Sequence, residues 1–242
     1  MRKITINLAA VAAFCIVVAS PALVSSSCAT PKTEQEDTTI IREDSGITAL
    51  KYSSPEVPAS IEFCGKTIDL SRFDRHERMD RELLAFTYMH STSLQMLKKA
   101  NRYFPIVEPI LKENGIPDDF KYLMVIESNM NPTARSSAGA AGLWQFMQGT
   151  GRDYGLEVNN NVDERYHIEK ATRAACRYLK DAYAKYKDWV AVAASYNAGQ
   201  ARIASQLAKQ DVDDSLDLQL VEETARYVYR ILAAKQLFSA PT

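Results

Sequence analysis

Cysteine and histidine are scarce in this chain, with four cysteines and three histidines among 242 residues. His76, His90 and His167 stand alone, and no His/Cys cluster has metal-ligand spacing, so no metal and no cofactor is expected. An excess of positive charge is also missing. The 29 Lys and Arg are balanced by 30 Asp and Glu, mixed along the chain, for a formal net charge of −1. Without a basic stripe, nucleic acid is not expected as the main partner. Strand-like alternation is absent too, and no apolar run reaches the ~20 residues of a membrane span. What remains is an all-α domain of helices joined by short connections, with 46% hydrophobic residues to fill one core.

The N-terminus reads as an export signal. Arg2 and Lys3 are followed by an apolar core from Ile4 to Val18, broken only by Thr5 and Asn7, and then by Ala19, Ser20, Pro21 and Ala22. Val24-Ser25-Ser26-Ser27-Cys28 places a cysteine just after that core, where a lipoprotein signal carries its modified residue. Ser25 stands where such signals usually have Leu, so cleavage after Ala22 stays open as the alternative. The expectation is a signal over 1–28 with Cys28 lipidated, an exported protein on the periplasmic side of the envelope, and an outer-membrane lipoprotein. Residues 29–60 are polar, interrupted by Pro31, Pro55 and Pro58, and read as a flexible linker. Residues 61–79 extend the domain proper, which occupies 80–238. Cys64 and Cys176 remain in the exported chain, and whether they pair is left open by a spacing this long.

Helical periodicity begins near Asp80. Leu83, Leu84, Thr87, Leu94, Leu97 and Ala100 mark one side of a long helix expected to end near Phe104, with Pro105 opening the next and Asn114-Gly115 closing it. Pro117-Asp118-Asp119 is a fresh start signal that places acids at the positive end of a helix. Later helices are expected over Ile168 to Tyr186, over Trp189 to Ala194 capped by Asp188, over Arg202 to Lys209, and from about Val221 to the C-terminus.

The helix after Asp119 ends on an unusually apolar stretch, Tyr122-Leu123-Met124-Val125-Ile126, followed by Glu127. A polar, Gly-rich segment from Asn129 to Gly155 follows. A carboxyl at such a boundary can be desolvated enough to stay protonated near neutrality, and so donate a proton to a leaving oxygen. Taken alone, the stretch fits better a carboxylate that merely ends a core helix, since most carboxylates are exposed. Gly139 to Thr150 has no GK[ST] ending and no preceding strand, so it is not a phosphate loop. Its glycines let backbone come close to a neighbour, while Trp144, Phe146 and Met147 offer apolar surface for a sugar face. Ser195-Tyr196-Asn197-Ala198-Gly199 is by itself no more than a helix end with a C-terminal cap.

In order, however, these pieces form a pattern. Glu127-Ser128 precedes Asn131-Pro132-x-Ala134-x-Ser136-x-x-Gly139-Ala140-x-Gly142-Leu143-Trp144-Gln145, then Tyr196-Asn197-Ala198-Gly199, then Glu223-Thr224-x-x-Tyr227-Val228. The pattern resembles the soluble-lytic-transglycosylase (SLT) family, glycoside hydrolase family 23, and within it the membrane-bound lytic murein transglycosylase D branch. It covers about Asp80 to Phe238. The resemblance implies a lysozyme-like all-α domain with a cleft for peptidoglycan glycan strands. It makes Glu127 the single catalytic acid/base and sets Ser136 near that carboxyl. Gly142, Gln145 and Met147 line the cleft, Tyr196 and Asn197 lie beside the reacting sugar, and Glu223 and Tyr227 form the wall from the last helix. Gln148 replaces a Pro that often follows the Met, Ser195 replaces the usual Ala, and Ala225 stands where Arg usually follows Glu-Thr, with Arg226 adjacent. No LysM-type repeat is read in the chain, so wall targeting is expected from the anchor or from partners.

Ordinary glycosidases use two carboxylates. Asp153, Asp163, Glu164 and Glu223 are the candidates for a second, but Asp153 and Asp163-Glu164-Arg165 sit in polar stretches that suit solvated caps and turns. The resemblance implies instead that the N-acetyl group of the substrate assists, and that Glu127 acts first as acid and then as base to give a 1,6-anhydro end. Hydrolysis as in goose-type lysozymes, and wall binding without turnover, are the alternatives.

Overall fold

The computed structural model describes residues 55–89 and 91–239. The export signal, Cys28 and the first part of the linker lie outside the described residues. Among the described residues the architecture is all-α, with one small β-hairpin in front. No helix among them is long and apolar enough to cross a membrane.

The hairpin is an element that sequence patterning misses. Strands β1 (Ser60–Phe63) and β2 (Lys66–Asp69) pair antiparallel in the register Ser60↔Asp69, Ile61↔Ile68, Glu62↔Thr67, Phe63↔Lys66. Both turn residues, Cys64 and Gly65, have positive φ (53° and 81°), as a two-residue hairpin turn with a primed geometry requires. Four-residue strands are too short to display period-two alternation against background, and Cys-Gly is not a usual turn signal. The hairpin is held tertiarily: Ile61, Phe63, Ile68 and Leu70 are buried, and the Phe63 and Phe120 rings lie 6.0 Å apart.

Helices α1 (Phe73–Tyr88) and α2 (Ser91–Glu113) follow. The expected single helix from Asp80 to Phe104 is therefore interrupted at Met89, and Pro105 lies inside α2 instead of opening a new helix. An interior proline costs a backbone hydrogen bond and crowds the preceding turn. Here the apolar face Met96, Ala100, Tyr103, Val107, Ile110, Leu111 runs unbroken across both Pro105 and Pro109, and its burial against α5 outweighs that cost. Gly115, at φ +64°, ends the segment as the sequence predicts.

Next come α3 (Phe120–Ser128), α4 (Gln148–Asp153), α5 (Ile168–Tyr186), α6 (Trp189–Ala198), α7 (Gln200–Lys209) and α8 (Glu222–Ser239). Short 3-10 turns occupy Glu164–Tyr166 and Ser215–Asp217. Asp188 caps α6 as expected, its carboxylate accepting the Val190 N–H at 2.9 Å. Residues Val190 to Ser195 of α6 are all buried, so this Ala-rich helix has no wet face and occupies the interior. Helix α8 closes the domain, packing on α1, α3 and α6. The α1–α8 contact includes the buried Glu82, whose carboxylate takes the Arg226 guanidinium at 2.7 and 3.2 Å. Arg226, one place beyond the position where the pattern usually has Arg, is thus spent on the scaffold.

Cys64 and Cys176 are separate thiols; Cys176 is buried in α5. Asp119, expected as a helix-start acid, makes no cap hydrogen bond within α3. Its carboxylate instead accepts the Cys64 N–H at 2.6 Å and Lys235 Nζ at 2.7 Å, and Lys235 also donates to the Glu62 carbonyl at 2.6 Å. One carboxylate thereby joins the hairpin, the start of α3 and the end of α8.

Candidate active site

Glu127 lies in the last turn of α3, behind five buried residues, Tyr122 to Ile126. Asn129 and Met130 both adopt left-handed backbone (φ 49° and 58°), which ends the helix immediately after Ser128. Glu127 keeps a partly open surface while its carboxyl sits among packed side chains. Tyr227 of α8 donates its hydroxyl to Glu127 Oε1. Burial is the dominant influence on this carboxyl and lifts its pKa to about 7. The Tyr227 hydrogen bond and the positive charge of Arg230 pull the other way without overcoming it, and Glu223 adds a smaller upward push.

Glu223, Tyr227 and Arg230 are spaced i, i+4, i+7 on α8, which puts them on one face of that helix. Arg230 is a residue that sequence reading misses. The same spacing from Tyr227 that makes it a neighbour of Glu127 was available, but a lone Arg on a helix carries no motif. Tyr196, at the end of α6, donates its hydroxyl to the Trp144 carbonyl at 2.7 Å. Burial and the nearby Glu127 charge push the Tyr196 and Tyr227 phenols well above their ordinary pKa, so both stay protonated donors.

The Gly-rich segment is built from the backbone outward. Gly142 has φ +80°, and a Cβ there would lie 1.9 Å from the Arg165 carbonyl oxygen, so only glycine lets the two backbones meet. Its Cα therefore faces the 3-10 turn at Glu164–Tyr166. Gln145, also at positive φ (47°), spends its amide N–H groups on the Gly142 and Ala134 carbonyls at 2.8 and 3.3 Å. The Ser136 hydroxyl accepts the Ala140 N–H at 3.0 Å. Among the described residues no hydrogen bond joins Ser136 or Gln145 to Glu127.

Two expectations about this segment are corrected. Trp144 offers no sugar-binding surface: it is buried, and its indole N–H donates to Thr172 Oγ1 at 2.9 Å, while Phe146, though largely buried, borders the cavity that Tyr196 lines. Met147 is the exposed apolar residue, at 45%. Asp163-Glu164-Arg165 is a capped turn as expected, the Asp163 carboxylate accepting the Arg165 N–H at 3.2 Å, but its Arg165 is not solvated. Arg165 is buried and forks onto both Asp163 oxygens at 2.9 and 2.7 Å, while its Nη1 donates to the Gly139 and Phe146 carbonyls at 2.8 and 3.0 Å. Arg165 holds Asp163 well below the usual carboxylate range, and hydrogen bonding by the Glu157 N–H and Lys170 does the same for Glu164. Neither is poised to move a proton near neutrality.

Gln145, Met147, Tyr196 and Asn197 line one cavity of about 310 Å³, together with Thr150 and Tyr178. Asn197 Oδ1 accepts the Thr224 hydroxyl at 2.8 Å, tying the α6 end to α8. Tyr178 packs edge to ring on Tyr196 with centroids 5.1 Å apart, and Phe146 lies tilted against Tyr196 at 6.3 Å, which stiffens this wall.

Residues 105–217 match the family described as Transglycosylase SLT domain. Over that segment the chain belongs to the SLT family. Among curated relatives, membrane-bound lytic murein transglycosylase D of Escherichia coli K12 is 30% identical over 166 residues, 66% of this chain and 36% of its own length. Membrane-bound lytic murein transglycosylase C of Haemophilus ducreyi is 29% identical over 150 residues, 56% of this chain and 40% of its own. This SLT chain thus spans well under half the length of these relatives. A solved structure of an inactive mutant of lytic transglycosylase Slt from Pseudomonas aeruginosa overlaps 57% of this chain and 24% of its own, at 23% identity and a TM-score of 0.47. That overlap is too loose to bear on the site.

Proposed function

We propose that this SLT protein is a peptidoglycan lytic transglycosylase that cleaves the MurNAc-β-1,4-GlcNAc bond without water, leaving 1,6-anhydro-MurNAc ends, with Glu127 as acid and then base. The observation that carries the reading is the Glu127 carboxyl itself, lifted to about 7 by burial and held by the Tyr227 hydroxyl. Near neutrality such a group divides its time between both protonation states, which suits one residue that must first give and then take a proton. Its protonated form donates to the departing GlcNAc oxygen while the N-acetyl carbonyl of MurNAc assists at the anomeric carbon. The resulting carboxylate then removes the proton of the muramyl 6-hydroxyl, which closes on that carbon. Tyr227 steadies the carboxylate between the two transfers. Glu223 and Arg230 set its charge environment from opposite signs.

In the same reading Met147, Tyr196 and Asn197 contact the glycan along the cavity, while Ser136, Gly142 and Gln145 act by shaping the loop that borders it. Catalysis belongs to residues 80–238, with 61–79 as an extension and 29–60 as a tether. Two relatives are named membrane-bound, which supports an envelope location for this chain. Export and a lipid on Cys28 would supply it; Cys28→Ser should move the protein from the membrane fraction to the soluble one.

Mass analysis of fragments released from purified sacculi tests the reaction. Anhydro ends are expected, with release by Glu127→Gln at least ~10²-fold slower. Reducing ends would make the protein a hydrolase. Binding of sacculi without release would make it a scaffold.

A further inference from the structure

Charge that balances along the chain does not balance over its surface. Helix α2 carries four basic residues against two acids, and α5 with its cap Lys187 carries six against two. The chain as a whole has a net charge of −1, so the remainder is acidic. No basic stripe shows in the linear sequence, but the helical period makes two. On α2, Lys98, Arg102 and Lys112 alternate with Pro105 and Pro109 at helical spacing, and all five are exposed. On α5, Lys170, Arg173, Arg177, Lys180 and Lys187 follow the same period and are exposed too. Neither stripe includes an acid. Each lies opposite the buried face of its helix, and the two helices pack on each other.

The acids that border these stripes are spent. Glu113 pairs with Arg173 at 2.7 Å, Glu164 with Lys170, and Glu108 and Asp118 both with Lys121. Among the described residues Lys98, Arg102, Lys112, Arg177, Lys180 and Lys187 form no ion pair. Leu94, one turn before Lys98, extends the α2 stripe and is 62% exposed. A soluble polyanion would satisfy the cations and leave that side chain wet. At a membrane interface the cations meet headgroup phosphates while an apolar side chain enters between them.

We propose that the face formed by α2 and α5 docks on an anionic lipid surface. The proposal rests on the anchored reading above, which puts a lipid on Cys28. Residues 29–54 separate Cys28 from the described domain, and a coil of that length spans about 30 Å. The anchor therefore holds the face within reach of its membrane and raises its local concentration there. The acidic remainder of the domain is repelled from the same surface, so the contact fixes an orientation. Glu127 and Tyr227 lie on α3 and α8, off both stripes, and stay open to the wall. Salt weakens such a contact, so it orients the anchored domain and does not replace the anchor.

Vesicle sedimentation tests this. Exported Cys28→Ser protein, which carries no lipid, is mixed with vesicles of equal parts phosphatidylglycerol and phosphatidylcholine, or of phosphatidylcholine alone. Binding to the charged vesicles only is expected at low salt, and it is lost as salt rises. Arg102→Gln/Lys180→Gln takes one unpaired cation from each stripe and should weaken that binding by about tenfold or more. Arg202→Gln/Lys209→Gln removes the same charge from exposed positions of α7 and should leave binding intact. Equal binding to both vesicles, or equal loss in the two double variants, overturns the proposal. Leu94→Ser should also weaken binding; if it does not, the face belongs to a soluble polyanion and the lipid assignment falls. All five positions are exposed, so the fold is retained. Release of fragments from sacculi, which contain no membrane, should be unchanged in every variant. Failure of the enzymatic reading is thus distinguishable from failure of the lipid face.

Discussion

At the residue scale, Glu127 is a carboxyl whose proton affinity is set by a contest that burial wins over the Tyr227 hydrogen bond and the Arg230 charge. Because its folded pKa lies above the unfolded value, the folded state binds the proton more tightly. The stability associated with the neutral form is complete below the unfolded value of 4.5 and is lost as pH rises through about 7. Glu127→Gln does not titrate. It should therefore gain up to about 3 kcal/mol on the wild type between ~pH 4 and ~pH 8, read by denaturant titration at each pH. A constant difference would show that Glu127 is not desolvated. Tyr227→Phe removes a donor that favours the carboxylate, so the Glu127 pKa should rise. In a pH–rate profile on sacculi, the alkaline limb should then move to higher pH. A limb that moves down would mean that Tyr227 does not act on this carboxyl. The suspicion that fell on Glu127 in the sequence came from its apolar approach, which the structure shows to be buried throughout. The opposing influences of Tyr227 and Arg230 could not be read there, because they come from a helix a hundred residues away.

At the scale of elements, the Gly-rich segment is a loop whose conformation is written into a few non-interchangeable positions. Gly142→Ala would drive a methyl group into the Arg165 carbonyl at a backbone angle unsuited to side chains. Its expected cost is more than about 3 kcal/mol, or failure to fold, checked by thermal unfolding. Arg165→Met leaves Asp163 and two loop carbonyls without their partner, and breaking such a pair costs about 3–5 kcal/mol. The same unfolding measurement should show it. The glycines advertised a close approach in the sequence, but what they approach is the 3-10 turn at Glu164–Tyr166. Trp144 looked like ligand surface for the same reason that it is core: the sequence reports that a residue is apolar and leaves open which body covers it. Among the helices, the long periodic ones were legible. The hairpin and the continuity of α2 through two prolines were not, since both depend on packing that overrides local signals.

At the scale of the whole domain, α3 and α8 run antiparallel and are pinned twice. Asp119 meets Lys235 at one end and Glu127 meets Tyr227 at the other. The separation along the chain is the same on both helices, eight residues from 119 to 127 and from 227 to 235, so the two pins hold one register. Lys235→Met removes the pin far from the site and leaves the Asp119 carboxylate with only the Cys64 N–H. We expect a stability loss of about 1–3 kcal/mol by denaturant titration and a lower kcat, because Tyr227 is then less firmly presented to Glu127. By itself, the sequence determined most of the helical segments, which of their faces are apolar, and that one acid stands at the end of an apolar helix within a recognisable order of motifs. These are properties of neighbours along the chain, fixed by backbone geometry and by the 3.6-residue period. Only the tertiary structure decided which polar groups are spent and which are free, and what proton affinity Glu127 has. Those are fixed by distance and desolvation among groups that meet in space from remote parts of the chain.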